Sequence, residues 1–230
     1  MKDILTFDDP STLVRADEID ITTEGKLMKE IIKELKDTLR KTGVKHLSAP
    51  AIGYNKRIFC IDYEDLEIKT YINPMIANSE GLVLSRETSP CEPGKTFLIP
   101  RNTEIDIFYQ RPTGNTENKR LLGLAATLAQ QEFNMLDGIL LSNLGLEIDE
   151  DFDNASEEDQ NAIINMYLDS LDLQEKDLTE DIKSDPYLSK IDEGIKFMQS
   201  VAKGETVLTS SFPERENNGS TVSHQTETDN

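Results

Sequence analysis

The chain has 230 residues with 24 Lys plus Arg against 44 Asp plus Glu, a formal net charge of -20. Its length exceeds one domain of about 100 to 150 residues without reaching two comfortable ones, so a single core with an appendage is expected. The charge excludes a general phosphate-binding surface, and no run approaches the roughly 18 apolar residues of a membrane helix.

Met1-Lys2-Asp3 leads into no signal-peptide apolar stretch, so the expected location is the cytoplasm. Cys60 and Cys91 are the two cysteines. They provide no disulfide framework and form no CxxC pair, and Cys60 reads as a core residue.

The acidity is unevenly placed. Residues 1–145 hold 22 acids and 18 bases (-4), whereas residues 146–230 hold 22 acids and 6 bases (-16). The expected organisation is a globular domain over 1–145, an acidic helical extension over 146–203 and a disordered tail over 204–230.

In chain order, Leu27, Met28, Ile31, Ile32, Leu35 and Leu39 recur at helical spacing, and Gly43 follows as a stop signal. Arg57 to Asp62, Thr70 to Ile76, Gly81 to Ser85 and Glu104 to Gln110 read as strands of an antiparallel sheet. Pro112 to Asn115 is a turn, after which Leu121, Leu124, Leu128, Glu132 and Met135 mark a second helix ending near Gly138. Helix, strands and helix in that order predict an α+β fold. Ser156 and Asp159 form an N-terminal cap for a third helix carrying Ile163, Ile164, Tyr167, Leu168 and Leu171. Leu188, Ile191, Ile195, Met198 and Val201 predict a fourth. The run Glu147 to Asp153 (EIDEDFD) lacks the glycine and terminal glutamate of a calcium loop and reads as a solvated linker. Asn218-Gly219-Ser220 matches a glycosylation acceptor, to which no role is assigned without a secretory signal.

Four segments stand in a particular order: Thr42 to Asp62 (TGVKHLSAPAIGYNKRIFCID), Tyr71-Ile72-Asn73-Pro74, Glu87 to Gly94 (ETSPCEPG) and Gln131 to Gly138 (QEFNMLDG). Together they resemble the motifs of peptide deformylases over nearly all of residues 1–145. The resemblance implies a helix bearing His-Glu-x-x-His, whose histidines lie four apart on one face and bind a metal, with a cysteine as third ligand. The intervening glutamate moves protons while a metal-bound water attacks the formyl group of N-formylmethionine.

Carried across by position, Gln131 and Met135 stand where the histidines belong and Ser89 where the cysteine belongs. Thr88 replaces the glycine before it, and Ala51 replaces the glutamine that would donate to the developing oxyanion. Lys45-His46 stands at the family's glycine turn with one extra residue. Glu132 alone retains the acid/base identity. The expectation is therefore no catalytic residues, no metal and no cofactor, since neutral oxygen donors and a thioether suit neither zinc nor iron. Glu132 reads as a structural carboxylate and Met135 as filler of a vacated cavity. Cys91 sits about 7 Å along the strand from Ser89, too far to substitute as a ligand. His46 reads as an exposed loop residue and His224 lies in the tail, so no Cys-His nucleophilic pair is expected.

Three functions compete. One is a noncatalytic deformylase-like scaffold or structural subunit of a larger assembly, with a bacteriophage particle as one setting. Another is a regulatory protein that engages a basic partner through the acidic extension, and the third is a divergent metal-dependent deformylase. A protein partner is expected, and neither a membrane nor direct nucleic-acid contact.

Overall fold

A computed structural model of the chain describes residues 2–63 and 67–173, all within one compact unit, Met1–Asp185. The expected helix at 188–201, the tail with His224 and the Asn218-Gly219-Ser220 sequence lie outside the described residues.

Helix α1 (Gly25–Thr42) buries Met28, Ile31, Leu35 and Leu39, a stripe at the 3.6-residue period, against the sheet. Gly43 ends it in the left-handed conformation, φ 75°, with its N–H donating to the Leu39 carbonyl. Strands β1 (His46–Ser48), β2 (Ile58–Ile61), β3 (Lys69–Glu80), β4 (Val83–Ser89), β5 (Glu92–Arg101), β6 (Glu104–Gln110), β7 (Thr116–Leu122) and β8 (Leu146–Ile148) pair only in antiparallel ladders. They build two sheets, β1-β2-β3-β6-β7 and β4-β5-β8. Helix α2 (Gly123–Leu136) follows β7 and buries residues on several sides, among them Ala126, Leu128, Ala129, Gln131, Glu132 and Met135. The α+β architecture is the one expected.

Three local expectations are corrected. Leu121 lies within β7 and does not begin α2, because the charged segment Thr116–Leu122 pairs along β6 as a sheet edge, where side chains such as Lys119 and Arg120 stay in water. The Glu147 to Asp153 segment is not a linker. Leu146–Ile148 pairs with Thr96 to Leu98 as β8, and Asp149 then caps the short helix α3 (Glu150–Asn154) by accepting from the N–H groups of Asp151 and Phe152. Helix α4 (Glu157–Ser170) has the predicted Ser156 cap, whose hydroxyl accepts from Asp159 N–H, but Ile163 remains exposed and Leu168 is its one fully buried side chain.

Two polar devices hold the domain together. Asn73 interrupts β3 at φ 46°; its carboxamide accepts from Ile19 N–H at 2.9 Å and donates to the Ile19 carbonyl at 2.9 Å and to Gln110 at 2.8 Å. At the end of α2, Arg57 donates to Asp137 Oδ1 at 2.6 Å and to the Leu136 carbonyl at 3.4 Å, placing a cation at the negative pole of the helix. Gly138 then turns away with φ 72°, and a Cβ there would lie 2.6 Å from the Leu13 carbonyl oxygen.

Candidate functional site

Helix α2 presents Gln131, Glu132 and Met135 toward the β1 strand, the Ala49–Gly53 turn and the β4–β5 hairpin. Gln131 and Met135, four residues apart, share one helical face. The hairpin brings Ser89, Pro90 and Cys91 opposite them, and the turn brings Ala51. Together with Ser48, Glu92 and Leu141 these residues line a cavity of about 10 Å³. The site residues singled out in the sequence are thus brought together.

Each position is held by its own contacts. Gln131 donates from its amide nitrogen to the Thr88 carbonyl at 3.1 Å. Ser89 Oγ accepts the N–H of Cys91 at 3.2 Å, which tightens the hairpin. Met135 is 7% exposed and packs within the cluster that includes Leu47, Ala51 and Leu140. Glu92, 1% exposed, accepts from the N–H of Leu141 at 2.8 Å and of Ser142 at 3.2 Å, satisfying donors at the start of the Leu141–Asn143 turn.

Glu132 has the least expected partner. His46 Nδ1 lies 2.5 Å from Glu132 Oε1, and the two side chains are 10% and 6% exposed. With Glu132 ionised, its carboxylate accepts and Nδ1–H donates. The reading of His46 as an exposed loop residue is therefore corrected: β1 pairs His46 with Ile61 of β2 and carries its ring inward against α2. Glu132 Oε2 and Ser48 Oγ, both buried, have no partner among the described residues.

Burial pushes the Cys91 thiol up to about 12, with the nearby Glu132 charge acting in the same direction and the Ser89 contact opposing. Burial likewise raises Cys60 to about 11. Neither thiol is a nucleophile near neutral pH, because nucleophilicity belongs to the thiolate.

Behind the cavity, Arg101 donates through Nε and Nη2 to the two carboxylate oxygens of Glu87 at 2.7 and 2.8 Å, and through Nη1 to Asn134 Oδ1 at 2.5 Å. This buried fork joins β4, β5 and α2, fixing the hairpin relative to the helix. The four sequence segments marked Glu87 but gave no sign of Arg101 as its partner or of Asn134 as that arginine's further acceptor, and the one sign at His46 was the extra residue beside it.

The metal implied by the family resemblance does not fit these residues. A carboxamide, a thioether and a hydroxyl replace two imidazoles and a thiolate at the three ligand positions. Among the described residues no group of three His, Cys, Asp or Glu side chains is gathered that could hold an ion.

The sequence and the fold both match known proteins. The polypeptide deformylase family model matches residues 1–145. A peptide deformylase of Dictyoglomus turgidum is 30% identical over 145 residues, covering 63% of this chain and 93% of that protein. A peptide deformylase-like protein of Brucella melitensis is 30% identical over 138 residues, covering 59% and 83%. The crystal structure of peptide deformylase from Thermotoga maritima superposes with a TM-score of 0.60 at 26% identity, covering 64% of this chain and 98% of that one. A probable peptide deformylase from Synechococcus phage S-SSM7 gives 0.57 at 26%, covering 63% and 99%. With its family model matched from the first residue through α2, and with the fold of solved members, this chain belongs to the peptide deformylase family.

Proposed function

We propose that this member of the deformylase family is noncatalytic and acts as a scaffold or structural subunit that binds protein partners in a larger assembly. The observation that carries the reading is the state of Glu132. Its Oε1 is engaged by His46 at 2.5 Å, and it faces a cavity of about 10 Å³ walled by Gln131, Met135 and Ser89. That volume accommodates about one water molecule. A metal, its water and a formylated methionine need far more room, and the three neighbouring side chains are poor ligands for a water-activating ion. The retained framework of buried ion pairs and hairpins supports a role that uses packing and surface. The match to a probable deformylase of a Synechococcus phage supports a bacteriophage as one setting for this chain, and a particle is the assembly we propose there.

The test is metal analysis of the purified full chain together with turnover of a formyl-Met peptide after supply of zinc, iron or nickel. Substoichiometric metal and no metal-dependent turnover are expected. Stoichiometric metal with turnover abolished by a chelator overturns the proposal.

A further inference from the structure

Helix α1 carries an uncommon feature for so acidic a chain. Lys26, Lys29, Lys33, Lys36 and Arg40 follow one another at intervals of three and four residues. At 3.6 residues per turn they fall within an arc of about 80°, in a row about 21 Å long. Lys26, Lys29, Lys33 and Arg40 are exposed and Lys36 is half-buried, while the opposite side of the helix packs into the core.

Among the described residues, none of the four lysines has a carboxylate within ion-pair distance, although the chain has 44 acids. The acids of α1 lie along one border of the row. Glu30 accepts from the Tyr54 hydroxyl at 3.0 Å, and Asp37 pairs with Arg40 at 3.5 Å. The row also places like charges at i,i+3 (Lys26/Lys29, Lys33/Lys36) and i,i+4 (Lys29/Lys33, Lys36/Arg40). Each such neighbour pair costs an isolated helix a few tenths of a kcal/mol. Opposite-charge neighbours at the same spacings (Lys26/Glu30, Glu30/Lys33, Lys33/Asp37 and Asp37/Arg40) offset this cost.

From this row we infer that α1 is a docking surface for an acidic polypeptide segment of a partner protein. Charge complementarity selects an anionic occupant. Two features favour a short segment of carboxylates over a nucleic-acid backbone. No aromatic residue lies among them to stack a base. The net charge of -20 opposes the approach of a long polyanion, whereas a short acidic segment meets mainly the local field within about 8 Å. The spacing of the row, one charge per helical turn, suits a partner helix with acids at i, i+3 and i+4. The inference does not depend on whether the α2 site is catalytic.

The test uses the full chain and a fluorescent oligo-glutamate peptide of about 14 residues, long enough to span the row. Fluorescence anisotropy should show binding at about 50 mM salt that weakens about tenfold or more by about 300 mM. The substitutions K29E/K33E/K36E should abolish it and K29Q/K33Q/K36Q should weaken it about tenfold or more. K29R/K33R/K36R should retain it, and K69E/K95E/K119E, equal in charge change but elsewhere, should leave it unaltered. Circular dichroism establishes that each variant is folded, and the neutral variant serves if the charge-reversed one is not. Absence of binding at low salt, equal binding by the neutral variant, or displacement of the peptide by an oligouridylate of equal charge at lower concentration would overturn the inference.

Discussion

His46 Nδ1 stands 2.5 Å from Glu132 Oε1, joining the edge strand β1 to the C-terminal half of α2 beside the cavity. The glutamate that the family uses to move protons is here one half of an internal pair. Its second oxygen is buried and unpartnered, so His46 is its sole hydrogen-bond partner among the described residues.

Removing that partner exposes the cost of burying Glu132. His46→Ala is expected to destabilise the folded chain by about 3 kcal/mol, because a buried carboxylate left without a donor bears its full desolvation penalty. Glu132→Gln in the same background should recover part of the loss. Urea unfolding of both single variants and the double variant measures the coupling, and additive effects would contradict a direct pair.

Glu87 and Arg101 form a second buried pair, with side chains 3% and 5% exposed. Glu87→Ala leaves the guanidinium buried with Asn134 as its remaining acceptor and should cost about 3–5 kcal/mol. The exposed pair of Arg86 with Asp153, at 2.7 Å, offers a contrast: Arg86→Ala should cost less than about 1 kcal/mol and the effect should shrink in salt. Thermal unfolding of the two variants should separate them clearly.

The raised thiols make stability pH-dependent on the alkaline side. Cys60 and Cys91 move from an ordinary 9.0 to about 11 and about 12 in the folded chain. The unfolded chain therefore loses these protons first, so stability falls as pH rises from 9 toward those values. Unfolding midpoints measured from neutral pH upward should decline above about 9, and Cys91→Ala should make the decline shallower. At pH 8 a thiol reagent should modify the native chain slowly and the denatured chain at both cysteines.

Gly138 has no substitute. Its φ is 72°, and a side-chain Cβ at this position would stand 2.6 Å from the Leu13 carbonyl oxygen. Gly138→Ala is therefore expected to cost about 2 kcal/mol or more. Gly114 tests the conformational part alone: its φ is 91° and nothing lies within 4 Å of a Cβ, so Gly114→Ala should cost less. Denaturant midpoints of the two variants give the comparison.

The α1 stripe, the capping at Gly43 and Ser156, the strand Glu104 to Gln110 and the gathering of residues 51, 89, 131, 132 and 135 were legible because they depend on local periodicity or on motif order. Strand β5 was hidden by Pro93, Gly94 and Pro100, and β7 by its charges. Those residues argue against strands in a local reading, yet are tolerated in long hairpins and at sheet edges.

The sequence by itself determined which atoms are at the site: an amide, a thioether, a hydroxyl and one carboxylate, a matter of composition at fixed motif positions. It also determined that the acidity lies in residues 146–230. Only the tertiary structure decided what the carboxylate does. His46 and Glu132 are 86 residues apart, and their meeting depends on the inward face of β1 and the rotation of α2, neither of which is encoded in local spacing. The same is true of the row on α1: its cations are plain in the sequence, but that its four lysines have no carboxylate within ion-pair distance among the described residues is a property of where the acids came to lie in space.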